Sequence, residues 1–227
     1  MSTLLKNVQA VDCLTERNVD VLLEDGIIAK IGANLPDKAN REIDGTGLTL
    51  LPSFIDLHTH FRDPGQTQKE DIHSGCKAAV HGGYTAVNLM PNTNPVCSSM
   101  DIVNYVEDKA KELGLCDVYQ TVSITKDFDG KTTSHLEEID NTVLWLTDDG
   151  NGIDSTQVML DAMEIARRKG FGLMLHEEHR LLTPLNSYLA EDLHTYRDAE
   201  LSLMTGCKTH FCHVSTKDSI AFIERAK

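Results

Sequence analysis

The stretch FIDLHTHFR, residues 54–62, sets an apolar run against polar side chains that recur at every second position. Alternate side chains of an extended strand share a face, so Asp56, His58, His60 and Arg62 can project together from one side as the strand ends. Neutral imidazoles are good zinc ligands, and two on one strand form a pincer. An isolated His-x-His is more often a pair of hydrogen-bonded core histidines, so the weight falls on what the other strands end in.

Those endings repeat the pattern. Asp148 or Asp149 follows Val143-Leu144-Trp145-Leu146, His176 follows Phe171-Gly172-Leu173-Met174-Leu175, and His213 follows Phe211-Cys212. From about residue 50 short apolar runs alternate with polar turns and helical stretches, the pattern of βα repeats. Strand cores are expected near 51–57, 85–90, 117–122, 143–147, 171–176 and 209–213. The expected fold is α/β: a TIM-like (β/α) barrel, truncated after about six βα units where a closed barrel has eight. In such barrels the C-terminal ends of the strands form one face, where ligands far apart in sequence converge. Zinc held there by histidines and a carboxylate keeps a position for water and lowers its pKa to about 7.

The intervening helices show the matching period. Ile102, Val106, Ala110 and Leu113 recur at helical spacing, with Ser98 or Ser99 as a start signal and Gly114 as a stop. Ser215 and Asp218 have the spacing of a capping pair, which predicts a last helix from near Ser215. Residues 1–50 are expected to form a small, partial β subdomain before the barrel at 51–227. There Val19, Val21 and Leu23 alternate with Asp20 and Glu24, Asp25-Gly26 supplies a type I′ turn, and Ile27, Ala29 and Ile31 form the return strand.

Composition narrows the function classes. The 227 residues are 41% hydrophobic, enough for a substantial core, and 35 acidic against 21 basic residues give a formal charge of -14. That balance repels polyanions, so nucleic acid is not an expected partner, while one Arg or a metal can still dominate a cleft and hold a small anion. No apolar run approaches the roughly 20 residues that cross a bilayer, and the first residues lack a signal-peptide pattern, so neither a membrane nor secretion is expected and the location is read as cytoplasmic. The six cysteines lack Cys-x-x-Cys pairs and are read as reduced packing thiols. Of the ten histidines, His73, His81, His135, His179, His194 and His210 are assigned to surface or packing roles. The set Cys207, His210, Cys212 and His213 lacks the second ligand pair of a zinc knuckle, and the charged run Glu107 to Glu112 is read as a solvated helix face.

Read in order, Asp56-Leu57-His58-Thr59-His60-Phe61-Arg62-Asp63-Pro64-Gly65, Met90-Pro91-Asn92-Thr93, Thr147-Asp148-Asp149-Gly150 and His213-Val214-Ser215-Thr216-Lys217 resemble the successive motifs of dihydroorotases in the amidohydrolase superfamily. The first motif is specific, Met-Pro-Asn-Thr is modest alone, and the ordered set is strong. The resemblance implies one or two zinc ions per chain, with His58 and His60 on one, His176 and His213 on a second, and Asp149, the second aspartate of its motif, bridging them. It also implies that Arg62 and Asn92 hold a substrate carboxylate, which suits the two-pronged guanidinium. The implied reaction is the reversible cyclisation of N-carbamoyl-L-aspartate to L-dihydroorotate in pyrimidine biosynthesis. It needs a small-molecule substrate and no organic cofactor, and allows a homo-oligomer.

The sequence also departs from that pattern. The family's proton-shuttling aspartate belongs to the eighth strand, beyond residue 227, so no catalytic acid or base is expected within this chain. Ser53 replaces a glycine, the stretch from His176 to His213 is short, and Glu177-Glu178-His179 stands where relatives commonly carry a cysteine. Two alternatives follow: a non-catalytic, dihydroorotase-like structural or regulatory partner, or a related cyclic amidohydrolase of the dihydropyrimidinase or allantoinase type.

Overall fold

The computed structural model describes residues 1–227, which divide into two compact units, Met1–Phe54 and Ile55–Lys227. The first unit is built on β1 (Ser2–Val11). It pairs antiparallel with β2 (Glu16–Glu24) on one side and parallel with β4 (Arg41–Asp44) and β5 (Thr49–Leu50) on the other, while β3 (Ile27–Gly32) lies beyond β2. Val8, Val19 and Val21 form its small core. The β2–β3 connection turns at Asp25 and Gly26 with φ of 49° and 83°, the double positive φ of a type I′ hairpin. Asp20, on the other face of β2 from Val19 and Val21, is buried too, because its carboxylate accepts the backbone N–H of Asn7 and Leu35, each at 2.9 Å. The return strand differs from a simple inward-facing one: Ile27 and Ile31 are exposed.

The second unit alternates strands and helices. β6 (Phe54–Thr59) is followed by α1 (Ile72–His81), β7 (Tyr84–Leu89), α2 (Met100–Leu113) and β8 (Asp117–Gln120). Next come β9 (Trp145–Leu146), α3 (Thr156–Lys169), β10 (Gly172–Leu175), α4 (Ser187–Thr205), β11 (Lys208–Phe211) and α5 (Lys217–Ala226). The strands lie in chain order, as a β6-β7-β8 sheet and a β9-β10-β11 sheet joined by a parallel bridge between Val122 and Leu146. β7 and β8 pair in parallel, and so do β9, β10 and β11.

All four β10 residues are buried, as expected of a parallel strand covered on both faces. Leu146, Leu173 and Leu175 pack with Met159, Ala162, Met163 and Ala166 of α3 in the largest core cluster. Gly172 is where β10 must pass closely, since a Cβ there would meet the Trp145 ring at 2.3 Å. At the two ends of the strand order are β6 and β11, and on β6 Ile55 and Leu57 are 63% and 46% exposed.

α2 starts after Ser99 and stops at Gly114 in the left-handed conformation, as its sequence signals require. α5 begins one residue later than the Ser215–Asp218 spacing predicts. Thr216 is the cap and accepts from Ser219 N, while Ser215 N is drawn to Glu191 at 2.9 Å. All six cysteines are free, and no helix is long and apolar enough to cross a membrane.

The charged run on α2 also needs correction, because it is not merely solvated. Glu107 accepts Gln120 N at 3.0 Å, and Lys109 donates at 2.8 Å to Asp63, whose side chain is 1% exposed and which also accepts from Tyr105 at 3.0 Å. Lys109→Met is therefore expected to destabilise the protein by about 1–3 kcal/mol in urea unfolding, the cost of stranding a buried acceptor. Asp63→Asn added to Lys109→Met should recover part of the loss, and an unchanged midpoint for Lys109→Met alone would contradict this role.

Candidate metal centre

In the second unit, the end of each strand except β8 delivers a polar side chain to one cluster. His58 and His60 come from the end of β6, Asn92 from the loop after β7, Asp149 from that after β9, His176 from the residue after β10 and His213 from just beyond β11. His58 Nε2 is 3.2 Å from Asp149 Oδ1, and His60 Nε2 is 3.6 Å from Oδ2. His176 Nδ1 and His213 Nε2 are each 3.8 Å from Oδ1 and 3.0 Å from one another. The donors thus form two groups able to hold an ion, His58–His60–Asp149 and Asp149–His176–His213, and Asp149 belongs to both.

Electrostatics set Asp149 apart from its neighbour. Burial works against ionisation of Asp149, but the imidazoles of His213, His58 and His60 gathered around it outweigh it, holding the carboxyl well below the usual range. The same contact raises the His213 pKa. Asp148 turns the other way, accepting Thr125 N at 3.0 Å and the Thr125 hydroxyl, and burial pushes its carboxyl up to about 6. Of the two aspartates that the residues alone leave open, Asp149 faces the histidines and Asp148 faces Thr125.

Asp56 does not join the group. It sits deeper in β6, where its carboxylate accepts His58 N at 3.1 Å. Arg62 and Asn92 stand side by side, with Arg62 Nη1 donating to the Asn92 carbonyl at 3.3 Å. The Asn92 side chain is engaged within the cluster: Oδ1 is 2.9 Å from His60 Nδ1, and Nδ2 donates to Asp149 Oδ2 at 3.2 Å. In that position Asn92 Oδ1 can accept from His60 Nδ1–H and so turn Nε2 toward Asp149, an orienting role that the motif pattern did not assign to it. Glu178 does the same for His176, its Oε2 lying 3.0 Å from Nε2 while Nδ1 faces Asp149. Gln66 adds a hydrogen bond to the Asn92 carbonyl at 3.2 Å. No local signal marked Glu178 or Gln66, since each acts through a contact set by the folding of its loop.

The backbone is held in unusual conformations at two of these residues, Arg62 (φ 61°) and His213 (φ 37°). Non-glycine residues seldom adopt positive φ, and such strain is most often retained at functional sites. The donor set, four imidazoles and one shared carboxylate, suits zinc, and two of the imidazoles have oriented second nitrogens, as metal-ligating histidines do. Of the six histidines assigned to surface or packing, His135 is buried against the Ser123 carbonyl at 3.0 Å and His210 packs on Trp145. His194 is buried within α4, and His179 lies against it beside Asp154.

Comparison with known proteins agrees with the resemblance. A family model described as dihydro-orotase-like matches residues 47–184. The dihydroorotase of Clostridium botulinum is 44% identical over all of this chain, and that of Aquifex aeolicus 40% identical over 92% of it. The chain spans 58% and 53% of the length of these relatives. Among solved structures, dihydropyrimidinase from Brevibacillus agri superposes with a TM-score of 0.83 at 22% identity, covering all of this chain and 55% of that one. L-hydantoinase from Arthrobacter aurescens gives 0.79 at 20% identity, covering 99% and 55%. These likenesses carry the fold.

Proposed function

Because the chain belongs to the dihydro-orotase-like family, we propose that it is the metal-binding portion of a zinc-dependent dihydroorotase, acting in the cytoplasm on L-dihydroorotate and N-carbamoyl-L-aspartate. The observation that carries this reading is the sharing of Asp149 by two histidine pairs, with a guanidinium one loop away. His58, His60, Asp149, His176 and His213 would hold one or two zinc ions. Bound zinc would supply Lewis-acid polarisation of an amide carbonyl and a water acidic enough to ionise near neutral pH.

The chain's own residues do the positioning. Asn92 and Glu178 hold His60 and His176 in the tautomers that present a lone pair to the centre. Arg62 uses one donor on the Asn92 carbonyl and has others for a substrate carboxylate. In ring opening, water adds to the ring amide carbonyl, the C–N bond breaks and the leaving nitrogen takes a proton, giving N-carbamoyl-aspartate. Ring closure is the reverse. We also propose that β6 to β11 are six strands of a closed (β/α) barrel. The exposure of Ile55 and Leu57 at one end of the strand order supports this, as does the share of the relatives' length that the chain spans.

The carboxylate clamp separates this substrate from neutral cyclic amides. Calorimetry on the zinc-loaded chain should find L-dihydroorotate bound more tightly than 5,6-dihydrouracil or hydantoin. Arg62→Ala should weaken dihydroorotate by roughly 10–100-fold, the worth of a charged hydrogen bond, and leave dihydrouracil unchanged. Equal affinity of the wild-type chain for charged and neutral rings would overturn the substrate assignment and favour a dihydropyrimidinase-type activity.

A further inference from the structure

Outside the Asp149 cluster the molecule holds one other group of metal-ligating side chains. Asp154 lies between β9 and α3, His179 in the segment after β10, and His194 within α4. His194 Nε2 is 3.6 Å and His179 Nδ1 3.9 Å from the same oxygen, Asp154 Oδ1, and the two rings are 5.1 Å apart. One donor atom from each residue lies within 4.8 Å of the others. Zinc–donor bonds of about 2.0–2.1 Å in tetrahedral array put donors about 3.3–3.4 Å apart, so the two histidine–Asp154 separations of 3.9 and 3.6 Å lie close to those of a loaded site, and the two rings must draw together to complete it.

The buried member points to a ligand. The His194 side chain is 3% exposed, yet neither ring nitrogen has a hydrogen-bond partner, and His179 Nδ1 is buried without one as well. Buried polar atoms of this kind are nearly always satisfied in folded proteins. The His194 ring is enclosed with Arg197 and His179 as near neighbours. Arg197 does not block a cation. Its guanidinium is paired bidentately with Asp198 at 2.7 and 2.8 Å, and its Nη1 donates to the Asp154 carbonyl at 3.2 Å. Asp154 itself and Glu178 bring negative charge close to the two rings.

We propose that Asp154, His179 and His194 form a separate site for a divalent transition ion of the zinc class, which ties the segment after β10 to α4 and to the loop after β9. Two imidazoles and a carboxylate leave a fourth position for water. None of these residues belongs to the ligand set that the family resemblance implies, and the site stands whether or not the chain is a dihydroorotase.

Equilibrium dialysis against zinc chloride, with metal counted by elemental analysis, tests it. Asp154 and His179 are partly exposed, so Asp154→Asn and His179→Gln leave the core intact, and circular dichroism verifies the fold. Each is expected to hold one zinc fewer than the wild-type chain, and His58→Ala with His60→Ala is expected to retain that ion. If His179→Gln and Asp154→Asn bind as much zinc as wild type, the site is wrong, whatever becomes of the Asp149 cluster. If they lose an ion while Asp149→Ala loses none, this site stands and the Asp149 reading fails.

Discussion

Asp149→Ala is expected to abolish high-affinity zinc binding by the four-histidine cluster. Every histidine of the cluster has a nitrogen within 3.8 Å of one of the two Asp149 oxygens, so the substitution removes a ligand from both candidate positions at once. It also leaves four imidazoles around an ion with no anion to balance its charge. The loss should exceed the roughly 10–100-fold that altering an outer-shell partner costs, because a direct donor is removed. Thermal unfolding reads the effect without any assay of activity. At zinc 100 times its dissociation constant the wild-type chain gains about 2.7 kcal/mol from binding, and Asp149→Ala should lose the part due to this cluster. Zinc stabilisation of the same size in both proteins would contradict the assignment.

Gly65→Ala is the substitution expected to cost most in stability. Gly65 has φ of +90°, and a Cβ placed there would lie 1.9 Å from the Asn94 carbonyl oxygen and 2.7 Å from its carbon. Those are backbone atoms and cannot rotate aside. The loop containing Gly65 is closed by Gln66 N to the Arg62 carbonyl at 2.9 Å and joined to the Asn92 loop by Asn94 N to the Pro64 carbonyl at 3.0 Å. Relief therefore requires separating the two loops that carry Arg62 and Asn92. Left-handed strain of about 1–2 kcal/mol and overpacking of about 1–3 kcal/mol combine to roughly 2–5 kcal/mol. Gly130→Ala is the control, with φ of +70° and nothing within 4 Å of the added atom, so it bears the strain alone. Urea midpoints should separate the two variants clearly, and coincident midpoints would show that the loops yield freely.

The strand-end residues were legible in the sequence because their signal is local. An apolar run ending in a histidine or aspartate needs no knowledge of its partners, and parallel order brings such endings together. β1 was not anticipated: its burial alternates poorly, and the register breaks between Leu5 and Val8, where Asn7 takes positive φ. Exposure of Ile27 and Ile31 could not be foreseen either, since alternation identifies a face without saying what covers it. Glu178 on His176, Asn92 on His60 and Lys109 on Asp63 depend on loop conformation or on residues as many as 46 positions apart. His179 and His194 escaped for the same reason, because nothing between residues 154 and 194 indicates that three separate segments converge.

Metal chemistry in this protein requires an ion held between the ends of β6, β9, β10 and β11. Anomalous diffraction at the zinc edge from zinc-soaked crystals locates it directly. A difference peak within about 2.0–2.2 Å of Asp149 and of nitrogens from His58 and His60, or from His176 and His213, is the result expected. Ordered crystals in which those side chains adopt their observed arrangement but show no anomalous peak among them, at zinc concentrations that saturate the protein in solution, would contradict it.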